Sequence, residues 1–474
     1  MALSHRSKAS LLLSLASLLA IIGALILVAI SHASTTHAAA LSSASSPKRI
    51  PAKLVKLGVQ PPTDAQCLAL YQLHCYSPQQ IRTAYNVDQL INKGYTGKGQ
   101  TIVIIDSFGS PTIKSDLQTF DAGYGLPNPP SFKVIAPLGT VPFDPNNSDM
   151  VGWAEETSLD VEWSHAIAPG ANIVLLTSPV SETEGVQGMP QFLYLEQYAL
   201  DHHLGKIFSQ SWGATENTLF TPAGRQVIAS FEKLYLRAAL DHVSVFASAG
   251  DSGSANVELD GTTYYPFPTV GFPASSPLVT AVGGTSLTAD SNGNYQSETV
   301  WNDGYGAGGG GISQVFKEPF YQKGNLPHSV QKTLGNSRGI PDISYNAGVV
   351  TGISVYLGFL GAANNGYYIF GGTSAGSPQW AGIIADANQL AGHPLGYLNF
   401  ALYKLGNSRG AASSFHDITV GNNAFVSGVP GYNATPGWDL ASGWGTPQAK
   451  TLVKNLIRLT DQNDGFSQLS SQQW

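Results

Sequence analysis

The sequence predicts an α/β fold in which a mostly parallel sheet is covered by helices on both faces. Short, continuously apolar runs of the kind found in buried strands occur at residues 101–106, 172–176, 206–209 and 243–247. Helix-like stretches, such as residues 189–203 and 224–242, separate them. Apolar strands that alternate with helices favour parallel pairing, because each crossover places a helix on one face of the sheet. In such sheets, functional residues collect at the carboxyl ends of the strands.

The first 40 residues have the layout of an export signal. Arg6 and Lys8 precede an apolar run at residues 11–30, and small residues follow as far as Ala40. Twenty apolar residues are also enough to cross a bilayer, so an uncleaved membrane anchor is the alternative. In either case the rest of the chain leaves the cytoplasm, and we predict a secreted, extracellular protein.

Composition divides the rest of the chain into three parts. Residues 41–84 form a linker and a short N-terminal extension, residues 85–460 a large folded domain, and residues 461–474 a tail. Cys67 and Cys75 are the only cysteines of the chain. Export favours a disulfide between them, with two free thiols as the alternative.

The charge balance excludes one class of partner. The formal net charge is −7 and only 12% of the residues are charged, so the chain offers no basic surface for nucleic acid. We expect a monomer that contacts a membrane only if the N-terminal segment is uncleaved.

Ser374 is the candidate nucleophile. It lies in the Gly-rich string GGTSAGSP, residues 371–378, which leads into a helix-like stretch that ends near Ala391. A serine at a helix N-terminus lies beside backbone N–H groups that can bind an oxyanion. A GTSA string alone is more often structural. Pro378 strengthens the catalytic interpretation, because a missing N–H costs little in the first turn of a helix.

A hydroxyl nucleophile needs a base, and two carboxylates are the candidates. On a helix, Glu156 and Asp160 are four residues apart and face the same way. As anions they repel each other, which raises at least one pKa and favours a shared proton, so the pair can act as a base in acid. An exposed acidic helix face is the alternative, and we assign Glu155 and Glu162 to such a face.

Asp251 is the third candidate. It lies in the string AGDSG, residues 249–253, directly after an apolar run. Burial would keep its carboxylic acid neutral, and the acid could then donate a hydrogen bond to a developing oxyanion. A lone Gly-Asp-Ser-Gly string is more often a turn. The position of this one, at the end of a buried strand, favours the catalytic role.

Together these strings resemble the sedolisin family of serine-carboxyl peptidases, and the similarity runs from about Tyr85 to Leu459. Further matches are FPASSP at 272–277, VTAVGGT at 279–285, the stretch 308–313 and RGIPDI at 338–343. The resemblance implies a subtilisin-like fold and a secreted, acid-acting endopeptidase that cleaves protein or peptide substrates.

The resemblance also assigns roles. It implies that Ser374 is the nucleophile, Glu156 the general base and acid, Asp160 its partner and Asp251 the acid of the oxyanion hole. Two further residues would support this network. Asp106 stands where the family often has a Glu, and Trp212 matches a family Trp.

One structural Ca²⁺ is implied in the C-terminal part. Its ligands would be the side chains of Asp417 and Asp439 and the backbone oxygens of Ile418, Thr435 and Gly437. The family commonly has Gly in place of Thr435. Aspartates in ordinary turns are the alternative.

Three other functions stay open. One is a tripeptidyl-peptidase of the same family, and another is a non-catalytic binding protein on a peptidase scaffold. The third is a neutral subtilisin-type hydrolase that uses Asp106 and a histidine, although the chain has no His-Gly-Thr string. Most relatives also carry a large folded prosegment. Here we expect that folding needs no such chaperone or that the segment with Cys67 and Cys75 packs on the body as a permanent extension.

Overall fold

The computed structural model describes residues 56–461. The predicted signal peptide with its anchor alternative, the linker up to residue 55 and the tail from residue 462 lie outside the described residues.

The elements are numbered in chain order. The strands are β1 Lys56–Gly58, β2 His74–Tyr76, β3 Thr101–Ser107, β4 Phe132–Ile135, β5 Asn172–Ser178, β6 Ile207–Gln210, β7 Ala214–Thr215, β8 Ser244–Ser248, β9 Gly271–Phe272, β10 Thr280–Ala289, β11 Tyr295–Val300, β12 Gly311–Lys317, β13 Ser337–Ile340, β14 Ile343–Asn346, β15 Thr351–Leu357, β16 Gly366–Phe370, β17 Phe415–His416 and β18 Thr446–Pro447. The α-helices are α1 Asp64–Tyr71, α2 Pro78–Ala84, α3 Asp88–Ile91, α4 Ile113–Tyr124, α5 Ser148–Ile167, α6 Met189–Asp201, α7 Pro222–Leu240, α8 His328–Leu334, α9 Gly376–Ala391, α10 Asn399–Gly406, α11 Ala411–Ser414 and α12 Ala449–Asp461.

An eight-stranded sheet forms the centre of the fold. Its order is β11-β10-β8-β6-β3-β5-β4, and β14 pairs with β10 outside this path. Every pairing in the sheet is parallel except that of β10 with β11. The four predicted apolar runs correspond to β3, β5, β6 and β8, each to within two residues at either end. The prediction of a mostly parallel sheet is confirmed.

Helices cover both faces of this sheet. Along β3, Ile102 and Ile104 lie in one hydrophobic core and Val103 and Ile105 in the other, because successive side chains of a strand point to opposite faces. Side chains of α5 and α9 pack in the first core, and those of α6 and α7 in the second. Helix α5 is buried almost throughout, from Met150 onward, so it has no solvent face.

This burial corrects one expectation. Glu155 and Glu162 were predicted to lie on an exposed acidic face, but both are buried. The prediction was wrong because α5 packs against β15 and α9 as well as against β3 of the central sheet. There the Tyr356 N–H donates to Glu162 Oε2 at 2.9 Å.

The N-terminal extension packs on the folded body. A second sheet has the order β1-β16-β15-β2, so the extension supplies both outer strands. Cys67 and Cys75 form the disulfide that the sequence predicts. Within residues 56–461, no helix is both long enough and apolar enough to cross a bilayer.

Candidate active site

The candidate catalytic residues meet at one edge of the central sheet. Asp106 lies near the carboxyl end of β3, Ser211 follows β6, and Asp251 follows β8. Ser374 lies just before α9, in a short 3₁₀ helix formed by Thr373–Ala375. The carboxyl ends of parallel strands share one edge, so residues that are far apart in sequence come together there.

Glu156 is the central carboxyl group of the site. Its side chain is 1% exposed, and neither carboxyl oxygen has a hydrogen-bond partner of normal geometry among the described residues. Burial raises the pKa of Glu156 well above its usual value, and the negative charges of Asp160 and Asp106 raise it further. The Ser374 hydroxyl is close enough to lower this pKa slightly. The group therefore holds its proton more tightly than a carboxyl in water.

Asp160 lies one helical turn beyond Glu156 on α5. Its Oδ1 accepts a hydrogen bond from the Ser211 hydroxyl at 2.9 Å, and its Oδ2 is buried without a hydrogen-bond partner in the described part of the chain. Burial raises the pKa of Asp160 well above its usual value, and the charge of Asp106 adds to this effect. Ser211 Oγ also lies 3.5 Å from the backbone oxygen of Ser374, so it connects α5 to the nucleophile turn.

Asp106 extends the cluster from the sheet side. Its Oδ2 accepts from Thr157 Oγ1 at 3.0 Å, while its Oδ1 is buried and has no hydrogen-bond partner among the residues that the structure describes. Burial raises the pKa of Asp106 to about 7, against the lowering effect of the Thr157 hydroxyl. Three buried carboxyl groups thus lie close enough to affect one another, and one of them, Glu156, is within reach of the Ser374 hydroxyl.

Asp251 is attached to the nucleophile turn itself. Its Oδ1 accepts from the Thr373 N–H at 2.7 Å and from Thr373 Oγ1 at 2.8 Å. Burial raises the pKa of Asp251, and these two hydrogen bonds lower it by less. Gly372 makes the contact possible, because it has a φ of +109° and a Cβ there would lie 2.7 Å from Asp251 Oδ2.

Comparisons with known proteins agree with the fold of this chain. The sequence profile of the subtilase family matches residues 139–397, more than half of the chain. The chain belongs to the subtilase family.

Within the subtilases it belongs to the sedolisin family. It is 36% identical over 391 residues to kumamolisin from Bacillus sp. (strain MN-32), covering 82% of this chain and 64% of kumamolisin. It is 29% identical over 394 residues to sedolisin from Pseudomonas sp. (strain 101), covering 81% and 61%. The human tripeptidyl-peptidase 1 is 32% identical over 327 residues, covering 64% and 52%. The chain therefore spans between half and two thirds of the length of these relatives.

A solved structure also matches. The structure titled Pseudomonas sedolisin (serine-carboxyl proteinase), complexed with two molecules of pseudo-iodotyrostatin, superposes with a TM-score of 0.67. The match has 28% sequence identity and covers 81% of this chain and 99% of that one. The subtilisin-like fold expected from the sequence is confirmed.

The sequence predicts that Trp212 supports the carboxyl network of this sedolisin-family chain. Trp212 packs in the second core, with its ring 4.6 Å from Phe192 and 5.9 Å from Phe231. Its indole nitrogen is buried and has no hydrogen-bond partner among residues 56–461. The expected link between Trp212 and the carboxylates is therefore not formed by a hydrogen bond.

Three hydroxyl residues of the site were not predicted. Thr157 donates to Asp106, Ser211 to Asp160 and Thr373 to Asp251. Each lies inside or next to a string that the sequence singles out, and this proximity is the only signal that could have identified them.

The predicted calcium ligands lie on two loop segments that contact each other. Asp417 Oδ2 accepts from the Gly437 N–H at 2.9 Å, and Asp439 Oδ2 accepts from the Thr435 N–H at 2.7 Å. Thr435 is not among the residues with positive φ, so its backbone does not require the Gly of the family. In the described part of the chain, no group of three or more His, Cys, Asp or Glu side chains is suited to a metal. A cation here would take most of its ligands from backbone carbonyls such as that of Ile418, and this all-oxygen set fits calcium.

Buried carboxyl groups predict that the fold is most stable in acid. Burial raises the pKa of Asp106 and Glu298 to about 7 and that of Asp121 to about 8. The folded state therefore binds these protons more tightly than the unfolded state. Their contribution to stability is full below about pH 4 and is lost as the pH rises through 7 to 8. Burial lowers the pKa of His165 and His416 to about 4, so these two histidines make the folded state less stable in acid. They are fewer than the three carboxyl groups named above.

We therefore expect the melting temperature to fall by at least about 5 °C between pH 4.5 and pH 8 at constant calcium concentration. Scanning calorimetry across this range measures it. A melting temperature that stays constant or rises up to pH 8 would contradict the protonated state that we assign to these carboxyl groups.

Proposed function

We propose that the protein is an exported endopeptidase that cleaves peptide bonds in acid, with Ser374 as nucleophile and carboxyl groups in place of histidine. The observation that carries the proposal is the cluster of three buried carboxyl groups, Glu156, Asp160 and Asp106, in which Glu156 reaches the Ser374 hydroxyl. The names of the relatives, kumamolisin, sedolisin and tripeptidyl-peptidase, support the class of reaction.

Acylation requires a base beside Ser374. As the serine oxygen attacks the carbonyl carbon of the substrate, Glu156 accepts the hydroxyl proton. The protonated Glu156 then gives a proton to the leaving amine, the C–N bond breaks, and an ester remains on Ser374. Water attacks this ester by the reverse proton transfers and releases the acid product. Asp160 shares the proton of Glu156, so that one proton serves both carboxyl groups.

The oxyanion needs donors on the other side of the substrate. Asp251 is tied to Thr373 through Oδ1, so its Oδ2 can carry a proton and donate to the oxyanion. The Ser374 N–H is a second donor, because the first N–H groups of a helix have no partner within it. Asp251 donates only while protonated, and its raised pKa extends that state to higher pH.

Calcium has a structural role in this proposal. The side chains of Asp417 and Asp439 and the backbone oxygens of Ile418, Thr435 and Gly437 would hold the ion, which supplies positive charge between the two loop segments. The ion takes no part in the chemical steps, and its removal acts on stability.

A tripeptidyl-peptidase is the second candidate function, since several relatives carry that name. Products distinguish the two. An endopeptidase cuts a blocked, internally quenched peptide, whereas a tripeptidyl-peptidase requires a free N-terminus and releases three residues at a time. Mass spectrometry of products from blocked and free forms of one peptide decides between them.

Substitutions at the site test the catalytic assignment. Ser374→Ala should lower kcat by at least about 10³-fold. Glu156→Gln should lower it by about 10²- to 10⁴-fold, because an amide can neither accept nor give the proton. Initial rates of peptide cleavage from pH 3 to pH 8 measure both, and we expect the wild-type rate to fade as the pH approaches neutrality.

Glu196→Gln is the matched control. Glu196 is equally buried and its pKa is raised well above the usual value, but it lies on α6, whose apolar side chains pack in the second core. Its variant should keep the wild-type rate. A neutral optimum that Glu156→Gln does not change would favour a histidine-dependent hydrolase. Absence of cleavage by folded wild type at every pH would favour a binding protein.

Chelation tests the calcium assignment. Removal of calcium should lower the free energy of unfolding by about 2.7 kcal/mol relative to a solution at 100 times the Kd, because only the folded state binds the ion. Melting curves with EGTA, and then with added Ca²⁺ or Mg²⁺, measure the change. Asp417→Asn should abolish the calcium response. An unchanged melting temperature after chelation would refute the assignment.

A further inference from the structure

We infer that residues 56–76, here called the clip, position Ser374 relative to Glu156. The clip comprises β1, α1 and β2, and it lies outside the catalytic cluster. The inference rests on the proposed function, because it concerns the geometry of the same site.

The clip holds both edges of one hairpin, formed by β15 and β16. Strand β1 pairs antiparallel with β16, with Lys56 opposite Tyr368. Strand β2 pairs parallel with β15 on the opposite edge, with Cys75 opposite Gly352. The hairpin is therefore the inner part of a four-stranded sheet. A two-stranded hairpin alone is marginally stable in water, whereas four strands with a buried face are stable.

Two connections close the clip. The Cys67–Cys75 disulfide joins α1 to β2. Asp64, at the start of α1, accepts from the Cys75 N–H at 2.9 Å through Oδ1 and lies 3.0 Å from His74 Nδ1 through Oδ2. Both connections hold α1 on β2, and Leu57 of β1 packs against the two cysteines.

The hairpin leads directly to the nucleophile. Strand β16 ends at Phe370, four residues before Ser374. Ile369, the residue before it, is fully buried and packs with both cysteines of the clip in a separate small core. The disulfide therefore fixes the strand from which the nucleophile turn begins.

The same hairpin is bonded to the helix that carries the base. Trp163 of α5 donates its indole N–H to the backbone oxygen of Ser354 at 2.9 Å. Glu162 of α5 accepts from the Tyr356 N–H at 2.9 Å. Strand β15 is thus anchored to α5 and β16 continues to Ser374, so a shift within the hairpin changes the position of Ser374 relative to Glu156. A displacement of about 1 Å at a reacting group can cost about 10²-fold in rate.

The test removes the disulfide of the clip and measures kcat and KM separately. In the double variant Cys67→Ala/Cys75→Ala, we expect kcat to fall by about 10- to 100-fold with KM within about twofold, because the nucleophile is misplaced while the substrate cleft is intact. Asp64→Ala removes the contacts of Asp64 with β2 but leaves the disulfide, so it should lower kcat by less than the double variant does. Asp64→Asn should keep the wild-type kcat, because its amide oxygen still accepts from the Cys75 N–H.

Leu200→Ala is the control for lost stability. Leu200 is buried in the second core on α6, away from the hairpin, so the variant loses packing without loosening the clip. The kinetics are measured at a temperature where every variant is folded. The inference predicts a lower kcat for the double variant but not for Leu200→Ala. Equal kcat values in all folded variants, or an equal loss in the control, would overturn it.

Hydrogen exchange provides a readout that does not need activity. Amides of residues 366–374 should exchange faster in the double variant than in the wild type and at the wild-type rate in Leu200→Ala. If the wild type cleaves no peptide, the proposed function fails, and this measurement still decides whether the clip holds the hairpin. Unchanged exchange in the double variant would overturn the inference while leaving the proposed function intact.

Discussion

Exclusion of water from three carboxyl groups is the constraint on which the rest of the structure depends. Glu156, Asp160 and Asp106 lie between a sheet edge and an enclosed helix, where an anion is costly and a proton is held tightly. A hydroxyl group donates to one oxygen of each aspartate, whereas within residues 56–461 Glu156 has no hydrogen bond of normal geometry and has only the Ser374 hydroxyl close by. The group with the fewest partners is the one nearest the serine. The proposed chemistry uses this position, because Glu156 accepts the serine proton while Asp160 carries the proton that the two carboxyl groups share.

Helix α5 connects this chemistry to the fold. A surface helix has one apolar stripe, but α5 packs against β15 and α9 as well as against the central sheet. Its first half carries the proposed base. Its second half bonds to the hairpin through Glu162 and Trp163. The hairpin continues into the nucleophile turn. Helix α5 therefore holds the proposed base in its first half and, through the hairpin, the nucleophile in its second half.

Much of this architecture is predictable from the sequence, because strands buried on both faces are continuously apolar and the carboxylates of α5 repeat at helical spacing. The exposure of Glu155 and Glu162 was predicted wrongly, since charge on a helix normally marks a solvent face and the packing of β15 has no local signal. The hydroxyl partners were missed for a related reason. Thr157 and Ser211 are ordinary polar residues, and their roles depend on contacts that only the folded chain creates. Roles of the site residues and the calcium ligands stay predictions.

In the turn from Gly372 to Ser374, each of three consecutive residues has a different role. Gly372 leaves room for Asp251, Thr373 fixes one oxygen of that acid, and Ser374 carries the reactive hydroxyl. No position of the triplet can therefore vary independently of its neighbours. Directed evolution toward new cleavage preferences would do best to keep these three residues constant and to vary other loops at the same edge of the central sheet.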